Sequence, residues 1–200
     1  VSDPRRHAPA TLRNRDAILA VLQRSLPPEG MLLEIASGTG EHAAYITAHL
    51  AGNLRWQPSD GDAQSFASID AHAAGNPRIL PAVTIDVTAT EWPIKEADAL
   101  FCANMIHITP WQASQGLFAG AGRILRSGAL LILYGPFRRH GAHTAPSNEA
   151  FDASLKSRDT SWGIRCLDTE VAPLAERHGL ALEEIVAMPA NNLSVIFRRR

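Results

Sequence analysis

The sequence predicts an α/β domain: a mostly parallel, seven-stranded sheet with helices on both faces and an antiparallel hairpin at its C-terminal end. Three observations carry this. Short apolar runs alternate with amphipathic stretches along most of the chain, the pattern of strands joined by helical crossovers. The runs at 31–36, 97–103 and 129–134 are almost wholly apolar, as buried parallel strands covered on both faces are. The last two strand-like runs, 180–188 and 193–199, are separated only by Pro189-Ala190-Asn191-Asn192, a connection too short for anything but antiparallel neighbours.

A helix over 11–26 shows apolar residues at Leu12, Ala17, Ile18, Val21, Leu22 and Leu26 and stops at Pro27-Pro28. Arg13 and Asn14 stand at its start, where they face either a ligand or water. The first strand, 31–36, contains one charge, Glu34, and a carboxylate in such a strand is costly unless it finds partners. The second strand covers 54–60. A helix over 62–74 follows and ends at Gly75-Asn76-Pro77. Pro81 interrupts the strand at 79–86 and cannot donate to a ladder, which assigns that strand to a sheet edge. The fourth strand, 97–105, runs into Asn104-Met105-Ile106-His107-Ile108. Pro110 opens a helix that reaches Ser127-Gly128, and the fifth strand, 129–134, leads to Tyr134-Gly135-Pro136-Phe137. Residues 138–169 are polar and carry one helix, 147–156, capped by Ser147. A helix over 168–178 tolerates Pro173 only near its start. Residues 1–200 thus read as one domain with an inserted segment at about 138–169, and an insertion of that size is more often functional than idle.

The composition excludes several classes. With 46% hydrophobic residues over 200 positions the chain can bury a substantial core, and a net charge of −1 gives no electrostatic footprint for nucleic acid. Arg138-Arg139-His140 and Arg198-Arg199-Arg200 read as a solvated loop and tail. The 2 cysteines, Cys102 and Cys166, lack metal-type spacing, so neither a metal site nor a disulfide framework is expected. No run is long enough to span a membrane and the N-terminus lacks the apolar stretch of a signal peptide, which points to a reducing, cytoplasmic setting.

Chemistry concentrates at Glu34-Ile35-Ala36-Ser37-Gly38-Thr39-Gly40-Glu41-His42. This stretch reads as a strand entering a helix through a turn whose glycines let a ligand approach the backbone, with free N–H groups at the helix start. Asp60, at the end of the second strand, stands where open α/β folds place the acceptor for ribose hydroxyls; capping the following helix is the competing role. The polar residues after the fourth strand belong to the same crevice.

Five ordered segments add a resemblance: Asn104-Met105-Ile106-His107-Ile108-x-Pro110-Trp111, Tyr134-Gly135-Pro136-Phe137, Ser147-Asn148-x-x-Phe151-Asp152-x-Ser154-Leu155, Trp162-Gly163-Ile164-Arg165 and Met188-Pro189-Ala190-Asn191-Asn192-Leu193. With the acidic residue before the glycine turn and the terminal hairpin, the chain resembles the Rossmann-like (class I) S-adenosylmethionine-dependent methyltransferases. More closely it resembles the methyltransferase-like protein 26 family, whose domain is of unknown function. The resemblance implies that Glu34, Ala36, Ser37, Gly38, Thr39, Gly40 and His42 surround the methionine part of the cofactor, with Ala36 replacing the usual first glycine. It also implies that Asp60 binds the ribose, Asp86 and Val87 the adenine edge, Asn104 and Met105 the amino-acid portion, and Arg13 and Asn14 its carboxylate.

His107, beside the expected methyl position, is the candidate general base. The candidate walls for a small-molecule acceptor are Tyr134, Asn148, Phe151, Asp152, Arg158, Trp162 and Arg165, which offer aromatic surface and a positive fork suited to a carboxylate or phosphate. Two other classes stay open. Gly38-x-Gly40-x-x-Ala43 meets a loose dinucleotide fingerprint, which an NAD-dependent oxidoreductase would carry, although the terminal hairpin and Asp86-Val87 argue against it. A cofactor-binding protein without turnover, acting through partners, is the other.

Overall fold

The computed structural model describes residues 3–200, so Val1 and Ser2 lie outside the described residues. Helix α1 (Pro9–Ser25) precedes β1 (Met31–Ile35), α2 (Glu41–His49), β2 (Arg55–Asp60), α3 (Phe66–Ala73) and β3 (Val83–Thr84). Then come β4 (Ala97–Ala103), α4 (Trp111–Ile124), β5 (Leu125–Gly135), α5 (Pro146–Arg158), α6 (Ala172–Arg177), β6 (Leu180–Met188) and β7 (Asn192–Arg199). The seven strands form one sheet in the order β3-β2-β1-β4-β5-β7-β6. All neighbours from β3 to β5 are parallel; β7 is antiparallel to both β5 and β6. The reversed strand is therefore inserted between β5 and β6 and does not close the sheet.

Because successive side chains alternate between faces, each central strand feeds two cores. Leu33, Ile35, Leu100 and Cys102 pack towards α4 and α6. Leu32, Trp56 and Phe101 pack towards Ile18 and Leu22 of α1 and Ile46 of α2. Cys102 is a core residue, its thiol pushed up to about 12 by burial first and by the nearby Glu34 second. Both cysteines are free. No helix of the described residues is long and apolar enough to cross a membrane.

The structure corrects several boundaries. Helix α1 starts at Pro9, whose fixed φ suits a first turn. It buries Thr11, Asn14, Ile18 and Leu22, while Leu12 is 56% exposed. The 79–86 strand shrinks to Val83–Thr84 and lies at the edge, as Pro81 requires. Helix α4 ends at Ile124, and Ser127-Gly128 marks a bulge inside β5, with Gly128 at φ +84 and Arg126 anchored on Glu96 and Asp98. Helix α5 begins at Pro146 after Ala145, so Ser147 is not its cap; Ser147 Oγ instead accepts from Asn191 Nδ2 at 3.1 Å. Ahead of α6 the chain makes a π turn over Leu167–Val171, closed by Val171 N–H on the Cys166 carbonyl at 3.0 Å. Pro173 then enters at the start of α6, where its missing N–H does least harm.

The basic clusters are not free. Arg138 and Arg139 pair with Glu170 and Asp168, Arg198 with Glu183 and Arg200 with Glu176, while the Arg199 guanidinium donates to the Gly122 and Gly179 carbonyls.

Candidate functional site

In an open α/β sheet, ligands bind outside the carboxyl ends of the strands where the order reverses. Here that place is the gap between β1 and β4, since β2 lies on one side of β1 and β4 on the other. The chain leaves β1 through three residues in the left-handed region, Ala36 (φ 58), Gly38 (φ 59) and Gly40 (φ 88). Backbone bonds brace the turn: Ser37 N–H to the Ser59 carbonyl at 2.8 Å and Gly40 N–H to the Ser37 carbonyl at 3.0 Å. Asp60 does the same from β2, its Oδ2 accepting from Gly38 N–H at 2.9 Å. Asp62, not Asp60, caps the next helical turn by accepting from Gln64 N–H.

The two glycines differ in use. A Cβ on Gly38 would meet nothing within 4 Å, so this face of the turn is open. A Cβ on Gly40 would stand 2.6 Å from the Ile69 Cα, so this glycine exists for the packing of the turn on α3. At Ala36 the methyl packs against the α4-side core, and its cost is torsional. A left-handed conformation costs an L-residue about 1–2 kcal/mol, partly offset by the extra freedom glycine gives the unfolded chain. Ala36→Gly is therefore expected to stabilise the fold by about 1 kcal/mol, read from urea unfolding midpoints.

Glu34 lies beneath the turn, 2% exposed, and its Oε2 accepts from Trp56 Nε1 at 2.9 Å and from Ser37 Oγ at 2.8 Å. Burial pushes its carboxyl up to about 7, against the downward pull of those two hydrogen bonds. Above the turn, His42 Nε2 donates to Asn14 Oδ1 at 2.9 Å, and burial takes the His42 imidazole down to about 4. Burial likewise raises the Tyr134 phenol, while a hydrogen bond from Asn14 and the nearby charge of Arg13 act the other way. Asn14 is thus a buried joint between α1, α2 and β5, and Arg13 is exposed beside it.

Asp86 is exposed and accepts from both the N–H and the hydroxyl of Thr88, which hold its carboxyl below the usual range; Val87 is buried. Asn104 ends β4 at φ 62, and Met105 is buried behind it. Strain in an asparagine at the end of a central strand is the kind that collects at functional sites.

Two of the expected site residues are engaged by the fold itself. His107 is fully buried, and its Nδ1 accepts from Arg165 N–H at 3.2 Å. The neutral ring then carries its proton on Nε2, which is buried and meets no acceptor, while its Nδ1 lone pair is engaged by Arg165 N–H. Burial first, and the Arg165 charge second, bring it down to about 3. A Cβ on Gly135 would stand 2.8 Å from that Nε2 and 3.3 Å from Asn104 Oδ1, which explains the glycine after Tyr134. Arg165 is not a free fork. Its guanidinium donates to the carbonyls of Ile106, Thr109 and Ser161 at 3.0, 2.7 and 2.9 Å.

The rest of the inserted segment is a fastened wall over the β4 end. Asn148 Nδ2 donates to the Asn191 carbonyl, and Asp152 accepts from Ile164 N–H while pairing with Lys156. The Arg158 guanidinium lies 5.5 Å from the centre of the Trp162 ring. Phe151, 41% exposed, and Ile108, 40% exposed, present large apolar surface there. A separate cavity of about 280 Å³, lined by Leu26, Pro28, Leu50 and Leu54, opens at the opposite, amino ends of the strands.

Sheet order, reversed β7 and glycine turn define the class I S-adenosylmethionine methyltransferase fold. The mitomycin 7-O-methyltransferase MmcR superposes with a TM-score of 0.79 at 17% identity, over 96% of this chain and 54% of that one. Human N-acetylserotonin methyltransferase, solved in complex with S-adenosylmethionine, gives 0.78 at 15% identity, over 95% and 52%. CalO1, a methyltransferase of calicheamicin biosynthesis in its S-adenosylhomocysteine-bound form, gives 0.73 at 20%, over 92% and 54%. The chain spans about half the length of these structures. It belongs to the family described as protein of unknown function (DUF938), which it matches over residues 5–199.

Proposed function

We propose that this chain binds S-adenosylmethionine between β1 and β4 and transfers its methyl group to a small-molecule acceptor, as an enzyme of the methyltransferase-like protein 26 type. One observation carries the reading: the open face of Gly38 lies directly beside the Asp60 carboxylate at the point where the strand order reverses. The antiparallel β7 also departs from the all-parallel order of dinucleotide folds, which weighs against NAD.

The cofactor supplies a methyl group on a positively charged sulfonium. Gly38 lets its amino-acid end approach the backbone, and Asp60 accepts from the ribose hydroxyls while keeping its bond to Gly38 N–H. Held beside Gly38 and Asp60, the sulfonium would supply its methyl group to the acceptor's lone pair and be left as the neutral thioether, any proton on the acceptor atom passing to water. The inserted segment and His107 shape and dry the space beside Asn104. Positioning of this kind supplies roughly 7–11 kcal/mol in favourable cases, so no fixed base is required for an acceptor that is already a nucleophile.

Calorimetric titration with S-adenosylmethionine, S-adenosylhomocysteine and NAD tests the binding. The first two are expected to bind and NAD is not. Asp60→Ala is expected to weaken them by about 2–3 kcal/mol, roughly 30–150-fold, the worth of a charged hydrogen-bond acceptor. Binding of NAD alone would overturn the proposal. Binding with no methylated product across a panel of small acceptors would make the chain a cofactor-binding protein.

A further inference from the structure

Away from the crevice, three side chains from three separate elements converge: His7 on the arm before α1, Glu41 at the start of α2 and His72 in the last turn of α3. One ligand atom from each lies within 4.8 Å of the other two. No sequence spacing points to a metal here, because two helices and two strands separate His7 from His72. The arm brings His7 in: Arg6 N–H donates to Ser68 Oγ, Ala8 N–H to Glu41 Oε2 at 2.7 Å, and the Arg6 guanidinium to the Gly38 carbonyl.

From these residues we infer a divalent transition-metal site, with His7 and His72 as nitrogen ligands, Glu41 as the oxygen ligand and water completing the shell. Two imidazoles and one carboxylate suit Zn²⁺ and its neighbours, not Mg²⁺ or Ca²⁺, which ask for oxygen. Both histidines already have one nitrogen on an oxygen: His7 Nδ1 on Glu41 Oε1 at 2.9 Å and His72 Nε2 on the Arg6 carbonyl at 3.0 Å. The second is the arrangement that orients metal-binding histidines, a ring N–H donated to a backbone carbonyl. The rings meet edge to face, with centroids 5.2 Å apart. Glu41 Oε2 also accepts from Ala8 N–H and from Thr39 Oγ1 at 3.0 Å, which holds the carboxylate in place.

The bound ion ties the N-terminal arm to α2 and α3. Together with Arg6 on the Gly38 carbonyl, it fixes the arm across the outer side of the glycine turn. The site stands on its own residues and does not depend on which cofactor the crevice takes.

Titration of the whole chain with ZnCl₂ by calorimetry, and with Co²⁺ followed by its visible absorption, tests it. One equivalent is expected to bind, MgCl₂ giving no heat. His7→Ala and His72→Ala are each expected to lower the affinity by more than about tenfold, since losing a ligand outweighs losing one of the groups that orient it, which costs roughly 10–100-fold. His140→Ala, at an exposed histidine on the inserted segment, is expected to leave it unchanged. Unaltered circular dichroism of the metal-free variants shows that the fold is intact. Absence of any Zn²⁺ uptake by the native chain, or uptake that survives both substitutions, overturns the inference.

Discussion

Gly40→Ala is expected to cost about 3 kcal/mol of stability, against about 1 kcal/mol for Gly38→Ala two residues earlier. Both glycines are left-handed, at φ 88 and 59, so both substitutions carry the torsional cost of about 1–2 kcal/mol. Only at Gly40 does the new methyl strike a backbone. It would stand 2.6 Å from the Ile69 Cα and 3.3 Å from the Ile69 carbonyl oxygen, and α3 must move bodily to admit it. Overpacking of this kind costs typically 1–3 kcal/mol more. A domain holds only about 5–15 kcal/mol in all, so Gly40→Ala should leave a protein that melts early or fails to fold. Urea denaturation of the two variants side by side checks the contrast. Equal losses would mean that α3 is not seated on the turn as described. Gly38→Ala adds a second readout, because its methyl projects into the open crevice: it is expected to weaken S-adenosylmethionine binding while the fold persists.

How far the sequence could be read follows from what each feature depends on. The glycine turn, the apolar β1 and β4 and the terminal antiparallel pair depend on neighbours in the chain, and periodicity or loop length exposes them. The place of Asp60 at the end of β2, beside the turn, was legible because its distance from the turn is set by one helix and one strand. Features that depend on contacts across the fold were not legible. The π turn before Pro173 and the bulge at Gly128 answer to packing, and Ser127-Gly128 reads equally well as the end of a helix. Two of the three carbonyls on the Arg165 guanidinium, and the N–H on the Nδ1 of His107, come from 56–59 residues away in sequence, so neither engagement could be read from neighbouring residues. Ala36 shows the reverse. Its place in the turn was visible, but its left-handed φ, which explains why glycine is usual there, was not.

Glu34 gives the second large effect, and its sign is opposite to that of most carboxylates. Its folded value, about 7, lies above the ordinary 4.5 because burial disfavours the charge more than Trp56 and Ser37 favour it. Between those two values the folded chain holds a proton that the unfolded chain has released, so stability falls as pH rises through this window. The contribution is fully present below about pH 4.5 and fully lost above about pH 7, a swing of about 3 kcal/mol at 1.36 kcal/mol per unit. Glu34→Gln keeps a carbonyl oxygen for the indole and hydroxyl donors but cannot ionise. The stability difference between Glu34→Gln and the native chain is therefore expected to move by about 2.5 kcal/mol, most of that swing, in favour of the variant between pH 5 and pH 8. Comparing the two proteins at each pH cancels the titration of every other group, so urea unfolding at pH 5, 6, 7 and 8 is sufficient. A flat difference would show that Glu34 ionises normally, with water reaching it past Trp56. A sloping one would mean that the acid below the glycine turn is half protonated near neutrality, and that any cation bound in the crevice stabilises its charged form and draws its value down. The same titration repeated with S-adenosylmethionine, whose sulfonium and ammonium are both positive, is then expected to show a smaller swing.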